Sequence, residues 1–253
     1  MKVQLLAETT APDEFIRDPA WAAQEKVDGS RCLIVSDANG VRGVSRQGKA
    51  LKLTTAILSA AAALPVDCVI DGELIGGRFV AFDVQMIEGR DVTEVPMVER
   101  FAMLRQMSPF PVVRCATGAN AKRQLLETVR VENGEGVVFK QMTEPYRDGR
   151  TPAAVKFKFW QREVFAVADV DIARGSVGLL DQGRDCGRCS FPMNSQWPRV
   201  GDLVEVRFAR LHKSALPVLE WVEIEPSEEE EDANAVVLKG AEAACGRLDG
   251  LDG

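Results

Sequence analysis

The sequence predicts an α+β protein dominated by antiparallel sheets, followed by a small all-β segment and an acidic tail. Over the first 160 positions of the 253-residue chain, apolar residues recur with period two in some stretches and at helical spacing in others. Turn-forming pairs, Asn39-Gly40 and Gly76-Gly77, join neighbouring period-two stretches, which makes hairpins and therefore antiparallel pairs. From about residue 162 the helical spacing gives way to short strands separated by turns.

In chain order, RCLIVSD and VRGVSRQG form a hairpin about Asn39-Gly40, and TTAILSAAAAL is a helix stopped by Pro65. CVIDGELI and RFVAFDV form a second hairpin. VPMVERFAMLRQM and NAKRQLLETVRVE carry the amphipathic helical period, whereas EGVVFKQM and AAVKFKFW alternate as strands. EVFAVADVDI, SVGLLD, RCSFPM, DLVEVRFARL and PVLEWVEI are five short strands in about 65 residues, which suits a small barrel of the oligonucleotide-binding type and equally a generic five-stranded barrel. EPSEEEED is a solvated acidic run, with a short helix expected around AVVLKGAEAAC. The expected divisions are 1–161, 162–225 and an acidic tail over 226–253.

Composition removes several kinds of chemistry. A single histidine, His212, excludes HExxH zinc sites and paired-histidine acid/base catalysis. GVSRQGKA imitates a phosphate-binding loop, but Ala50 stands where that loop needs a hydroxyl. Six cysteines without an export signal are expected as reduced thiols, and one CxxC, Cys186 and Cys189, does not make a zinc site. With acids in its first residues and no apolar run of membrane length, the chain is expected to be cytoplasmic, with no membrane partner. Of the formal net charge of −7, residues 226–253 carry −6, so the body is nearly neutral and a nucleic-acid partner is not excluded.

The chemistry gathers where charge interrupts apolar strands. Glu25-Lys26-Val27-Asp28-Gly29-Ser30-Arg31 precedes a strand, and Ser45-Arg46-Gln47-Gly48, Asp71-Gly72-Glu73, Phe79 to Asp83, Glu135 to Lys140 and Val155 to Phe159 follow. In VKFKF, period two puts Val155, Phe157 and Phe159 on one face and Lys156 and Lys158 together on the other, a pairing favoured when an anion lies between them. Asp71 and Glu73 share a face in the same way, at a spacing suited to a divalent metal or a ribose hydroxyl. Acids and lysines brought into one cleft describe a site for a nucleotide with magnesium.

In this order the segments resemble the covalent nucleotidyltransferase superfamily, which takes in ATP-dependent DNA ligases, RNA ligases and messenger-RNA capping enzymes. KVDGSR resembles the first motif, with its nucleophilic lysine, SRQG the next element, DGEL with FVAFDV the third motif and its companion, EGVVFK the fourth and VKFKF the fifth. EGVVFK is closer to the form found in DNA ligases, and the short barrel-like region fits small two-domain ATP-dependent ligases. The resemblance implies that residues 1–161 are the nucleotidyltransferase domain and 162–225 an OB-fold domain. It implies a nick-sealing enzyme of replication, repair or recombination that uses ATP and Mg2+ and passes through a lysyl-AMP intermediate. Lys26 is the implied nucleophile. Glu25 would present backbone to adenine, Arg31 and Arg46 would contact ribose or phosphate, Glu73 the ribose side, and Phe82 would stack on the base. Lys156 and Lys158 would grip the α-phosphate, and Glu73 and Glu135 would hold the metal. The partner is nicked duplex DNA, which a monomer suffices to clamp, with Arg162, Arg174, Arg184, Arg188, Arg199, Arg207, Arg210 and Lys213 as candidate phosphate contacts.

One departure stands out. The basic sixth motif expected at the end of the barrel is replaced by LPVLEWVEI, with Glu220 and Glu223 where bases belong, which bears on self-adenylylation more than on nick binding. An RNA ligase or capping-type transferase, and a nick-binding protein with impaired self-adenylylation, are the alternatives.

Overall fold

The structure, a computed structural model, describes residues 3–191, 196–208 and 218–219. They fall into two compact units that divide between Trp160 and Gln161. The first runs β1 (Gln4–Glu8), α1 (Pro12–Arg17), β2 (Trp21–Lys26), β3 (Ser30–Asp37), β4 (Gly40–Ser45), β5 (Ala50–Leu51), α2 (Thr55–Ala61), β6 (Cys68–Ile75), β7 (Arg78–Ile87) and β8 (Arg90–Asp91). It continues with α3 (Met97–Met107), β9 (Cys115–Ala116), α4 (Ala119–Val131), β10 (Gly136–Gln141) and β11 (Gly149–Lys158). The second unit contains β12 (Gln161–Asp171), β13 (Ser176–Asp181), β14 (Arg184–Ser190), β15 (Leu203–Phe208) and β16 (Val218–Leu219).

Two sheets make the first unit. One has the order β5-β4-β3-β6-β7-β8 and is antiparallel throughout; the other has the order β1-β11-β10-β2-β9, with β1 and β11 its parallel pair. Alternation along each strand sorts the side chains. Cys32, Ile34, Cys68 and Ile70 pack with Ile57 and Ala61 of α2 and Met97, Phe101 and Leu104 of α3. Leu33, Val35 and Val44 of the same sheet face the other way and pack with Val3. On the second sheet, Ala23, Val137 and Phe139 pack against Leu125, Leu126 and Val129 of α4 and Ile16 of α1. Helices thus cover one face of each sheet, and Lys26, Arg31, Asp71, Glu73, Lys140, Lys156 and Lys158 turn to the opposite faces.

The helix α1 has no strong apolar period and is held by tertiary contacts instead. The Lys122 ammonium of α4, fully buried, is taken up by the carbonyls of Phe15, Asp18 and Trp21 at 2.7, 2.7 and 2.9 Å. All three of its donors are used, which makes burial of the charge tolerable.

In the second unit β15-β12-β13-β14-β16 form one sheet, antiparallel apart from the β14·β16 pair, over a core that includes Phe165, Val167, Val177, Leu179, Cys189 and Val206. No closed barrel is seen among the described residues. Most of the LPVLEWVEI strand, the acidic run and the helix expected around AVVLKGAEAAC lie outside the described residues.

Lys122→Met keeps the bulk of the side chain and leaves three carbonyls without their donor. It is expected to cost about 2–4 kcal/mol in chemical denaturation of the whole chain. A loss below about 1 kcal/mol would show that the ammonium is not what ties α4 to the α1 segment.

Candidate functional site

A cavity opens among strands of the two sheets of the first unit. Gln24, Glu25 and Lys26 of β2, Arg31 of β3, Glu73 of β6, Phe82 of β7 and Lys140 of β10 contribute to its lining. A wider basic groove shares Lys26, Arg31 and Glu73 with it and adds Arg46, Arg150, Lys156 and Lys158. Lys26, Arg31 and Glu73 therefore stand where a partly apolar chamber meets a cationic groove.

The approach of the backbones fixes Lys26. It is the last residue of β2 and sits opposite Gly136 in the antiparallel register with β10. Gly136 has φ +154°, and a Cβ there would lie 2.1 Å from the Phe157 carbonyl oxygen. Only glycine lets β10 and β11 pass at that distance, and this seats Glu135 beside Lys26. Gly29 is required for space: a Cβ would meet the Leu74 carbonyl oxygen at 2.5 Å. The Lys26 Nζ donates to Glu135 Oε2 at 2.5 Å, and Lys158 Nζ lies 3.3 Å from Glu135 Oε1. Lys156 is paired with Glu8 at 3.0 Å. The two strand lysines that share a face are thus paired with different carboxylates, and Lys158 shares Glu135 with Lys26.

Two buried carboxylates organise the chamber floor. Asp71, fully buried, accepts from Arg31 Nε at 2.6 Å and Nη2 at 2.5 Å, and from the Tyr146 hydroxyl at 2.7 Å. Asp83 accepts from Arg100 Nε at 2.9 Å and Nη2 at 3.1 Å, and from Lys140 at 3.2 Å. Burial pushes the Asp83 carboxyl up, but Lys140 and Arg100 overcome that and hold it below the usual carboxylate range. Both cations so placed approach the Phe82 ring, the Arg31 guanidinium at 4.7 Å and the Lys140 ammonium at 5.1 Å from its centroid.

Glu73 is different. Burial pushes its carboxyl up to about 7 against the pull of Arg31 and Lys26, and its Oε2 is buried with no hydrogen-bond partner in the protein. An orphaned acceptor beside an open chamber is suited to a hydroxyl or a cation supplied by a ligand. Glu25 lies at the wall, with its carboxylate held by Arg114 at 2.8 Å and its N–H given to the Arg114 carbonyl.

The structure thus gathers Lys26, Arg31, Glu73, Phe82, Lys156 and Lys158 about the two connected cavities, with Glu135 bound to two of these lysines and exposed Arg46 on the groove rim. Asp71 shares a face with Glu73 but is fully engaged by Arg31 and Tyr146, which leaves Glu73 as the member of that pair open to a ligand. Sequence reasoning did not find Lys140, Arg100 or Tyr146. Lys140 was within reach, because alternation in EGVVFK puts Val138 and Lys140 on one face. Arg100 reads as an ordinary polar position on an amphipathic helix, and Tyr146 lies in a segment without period. No cluster of three or more metal-binding side chains occurs among the described residues.

In the second unit Arg162, Arg174 and Arg188 are paired with Glu205, Asp171 and Asp169. Arg210, Lys213 and the segment in place of a sixth motif, apart from Val218 and Leu219, lie outside the described residues. No described helix is long and apolar enough to cross a membrane.

Residues 19–158 match the family model for RNA ligase. A probable DNA ligase of Streptomyces avermitilis is 31% identical over 175 residues, which cover 53% of this chain and 34% of that protein. A probable DNA ligase of Streptomyces coelicolor is 28% identical over 174 residues, again 53% and 34%. The chain spans about a third of the length of these curated relatives. Among solved structures, a Lig E DNA ligase is similar with TM-score 0.65 at 21% identity, over 89% of this chain and 99% of that one. The ligase domain of M. tuberculosis LigD is similar with TM-score 0.54 at 20% identity, over 87% and 93%. At these identities the likeness to solved structures is one of fold, a mostly antiparallel assembly with few helices.

The Asp83 cluster gives a pH signature. Because the carboxyl is held low in the folded protein, its contribution is complete above the unfolded value of about 3.9 and is lost as pH falls through the folded one. Asp83→Asn leaves Arg100 and Lys140 buried without their counter-charge and is expected to cost about 3–5 kcal/mol at pH 7. The difference from wild type should shrink as pH falls below about 4 in denaturant titrations. A constant difference would mean that the Asp83 charge does not stabilise the fold.

Proposed function

Since the chain belongs to the RNA ligase family, with 19–158 matching its model, we propose that it is an ATP-dependent polynucleotide ligase that seals nicks in duplex DNA. The observation that carries the proposal is the position of Lys26, whose amine stands at the junction of a chamber walled by Phe82 and a groove lined by Arg46, Lys156 and Lys158. The choice of DNA follows the DNA ligases among its relatives.

ATP fits this site. Its base would lie on the Phe82 ring, its ribose hydroxyls would reach the orphaned Glu73 oxygen and Arg31, and its phosphates would enter the groove toward Lys156 and Lys158. The Lys26 nitrogen attacks the α-phosphorus, a P–N bond forms and pyrophosphate leaves. AMP then passes to the 5′-phosphate at the nick, and the 3′-hydroxyl displaces it to close the strand. Glu135 holds the Lys26 ammonium before reaction and stands where it can take its proton. The carboxylates on Lys26, Lys156 and Lys158 are counter-ions that incoming phosphates exchange for. Glu73 and Glu135 are close enough to raise the Glu73 pKa electrostatically, and together they would hold Mg2+, which neutralises phosphate charge when bound.

Residues 162–225 form the OB-type domain in this proposal. Its support is strand order: β12, β13 and β14 run as a meander and β15 returns beside β12, a Greek-key arrangement with β16 on the far edge. The nucleotidyltransferase domain is 1–161, 226–253 is the acidic tail, and the protein acts as a cytoplasmic monomer.

Incubation with α-labelled ATP and Mg2+ is expected to leave AMP on the protein, and Lys26→Ala to abolish the label. Wild-type protein that never takes up AMP would overturn the three-step reading. The family match favours RNA as the second substrate class, so the labelled protein is then given nicked DNA and nicked RNA; faster sealing of RNA would reassign it. Sealing of pre-adenylated nicks without self-labelling would point to the protein with impaired self-adenylylation, and GTP in place of ATP to a capping-type transferase.

A further inference from the structure

The Arg31 guanidinium has five N–H donors, and four are committed inside the protein. Nε and one Nη2 hydrogen go to Asp71, the other Nη2 hydrogen to the Tyr146 hydroxyl at 3.1 Å, and one Nη1 hydrogen to the Gln4 carbonyl at 3.1 Å. One Nη1 hydrogen is left over, and its direction is set by the other four bonds and by the Phe82 ring below the guanidinium plane.

Tyr146, the only tyrosine in the chain, is what these bonds converge on. Its hydroxyl donates to Asp71 at 2.7 Å and accepts from Arg31 and from the Gln4 backbone N–H, at 2.9 Å, which uses its one donor and both acceptor sites. The ring is 1% exposed and lies beneath the Arg100 guanidinium at 5.7 Å, and its own N–H goes to the Thr93 carbonyl. The side chain thus connects the Asp71 and Asp83 ion pairs without lining either cavity.

We propose that Tyr146 is a positioning residue for nucleotide binding: its hydroxyl fixes the Arg31–Asp71 pair so that Arg31 presents its one remaining N–H to an oxygen of the bound ATP. The proposal rests on the ligase reading above. In Tyr146→Phe the ring and its stacking remain, but Asp71 loses a donor, the Gln4 N–H loses its acceptor and the Arg31 fork loses one of its restraints.

The test is the AMP-labelling assay on the full chain, with melting temperature measured alongside. In Tyr146→Phe the apparent KM for ATP is expected to rise about tenfold, with the labelling rate at saturating ATP within about threefold of wild type. A second readout needs no turnover: the rise in melting temperature that ATP produces. Arg31→Lys keeps the charge and loses the fork, and on that background Tyr146→Phe should reduce the ATP-induced shift no further, because its effect passes through Arg31. An unchanged KM in Tyr146→Phe, additive losses in the double variant, or a Tyr146→Phe protein with no cooperative melting transition would each overturn the proposal, the last by assigning the hydroxyl to folding alone. Wild-type protein that neither labels nor is stabilised by ATP removes the ligase reading itself, and this inference with it.

Discussion

The Asp83 carboxylate, 2% exposed and held by Arg100 from α3 and Lys140 from β10, is the interaction on which the cleft depends. A lone charge at such depth costs several kcal/mol, and the fold offsets this by drawing two cations to it from separate elements. Those cations then fix other parts. Lys140 is held over Phe82, Arg100 over Tyr146, and Tyr146 reaches Asp71 and through it Arg31, which lies over Phe82 near Lys140. The aromatic wall of the chamber is thereby set by charges behind it, and its rigidity comes from satisfied hydrogen bonds more than from apolar packing alone.

Nearer the groove, electrostatics are arranged for exchange. Lys26, Lys156 and Lys158 are paired with Glu135 and Glu8, so none is a naked buried charge. In the proposed reading, phosphate oxygens would take the place of these carboxylates on the ammonium groups. Glu73 completes the contrast, since it is the buried carboxylate in the cleft with an oxygen that the protein itself leaves unsatisfied. The protein thus satisfies the groups that hold the site and leaves incomplete one that would meet a ligand.

Several features of this site were legible in the residue order. Lys156 and Lys158 had to share a face because Val155, Phe157 and Phe159 belong to the other side of a core strand, and the same period placed Glu73 with Asp71. What period two could not show was which carboxylate would be consumed. Asp71 and Glu73 look alike in DGEL, yet one is saturated by Arg31 and Tyr146, and the other is orphaned. That distinction needs the positions of β3 and of the segment carrying Tyr146, which is 75 residues from Asp71 in sequence.

By itself the sequence determined the main hairpins, the amphipathic helices and the faces they bury, because these follow from periodicity and turn chemistry. It also indicated that the acidic balance belongs to the last 28 residues and not to the body. Only the tertiary structure decided which charges are partners. Arg100 and Tyr146 carry no local signal of their roles, and alternation gives the face of Lys140 but not its partner, since a buried ion pair is defined by two elements meeting in space, and its desolvation is a property of everything packed around it.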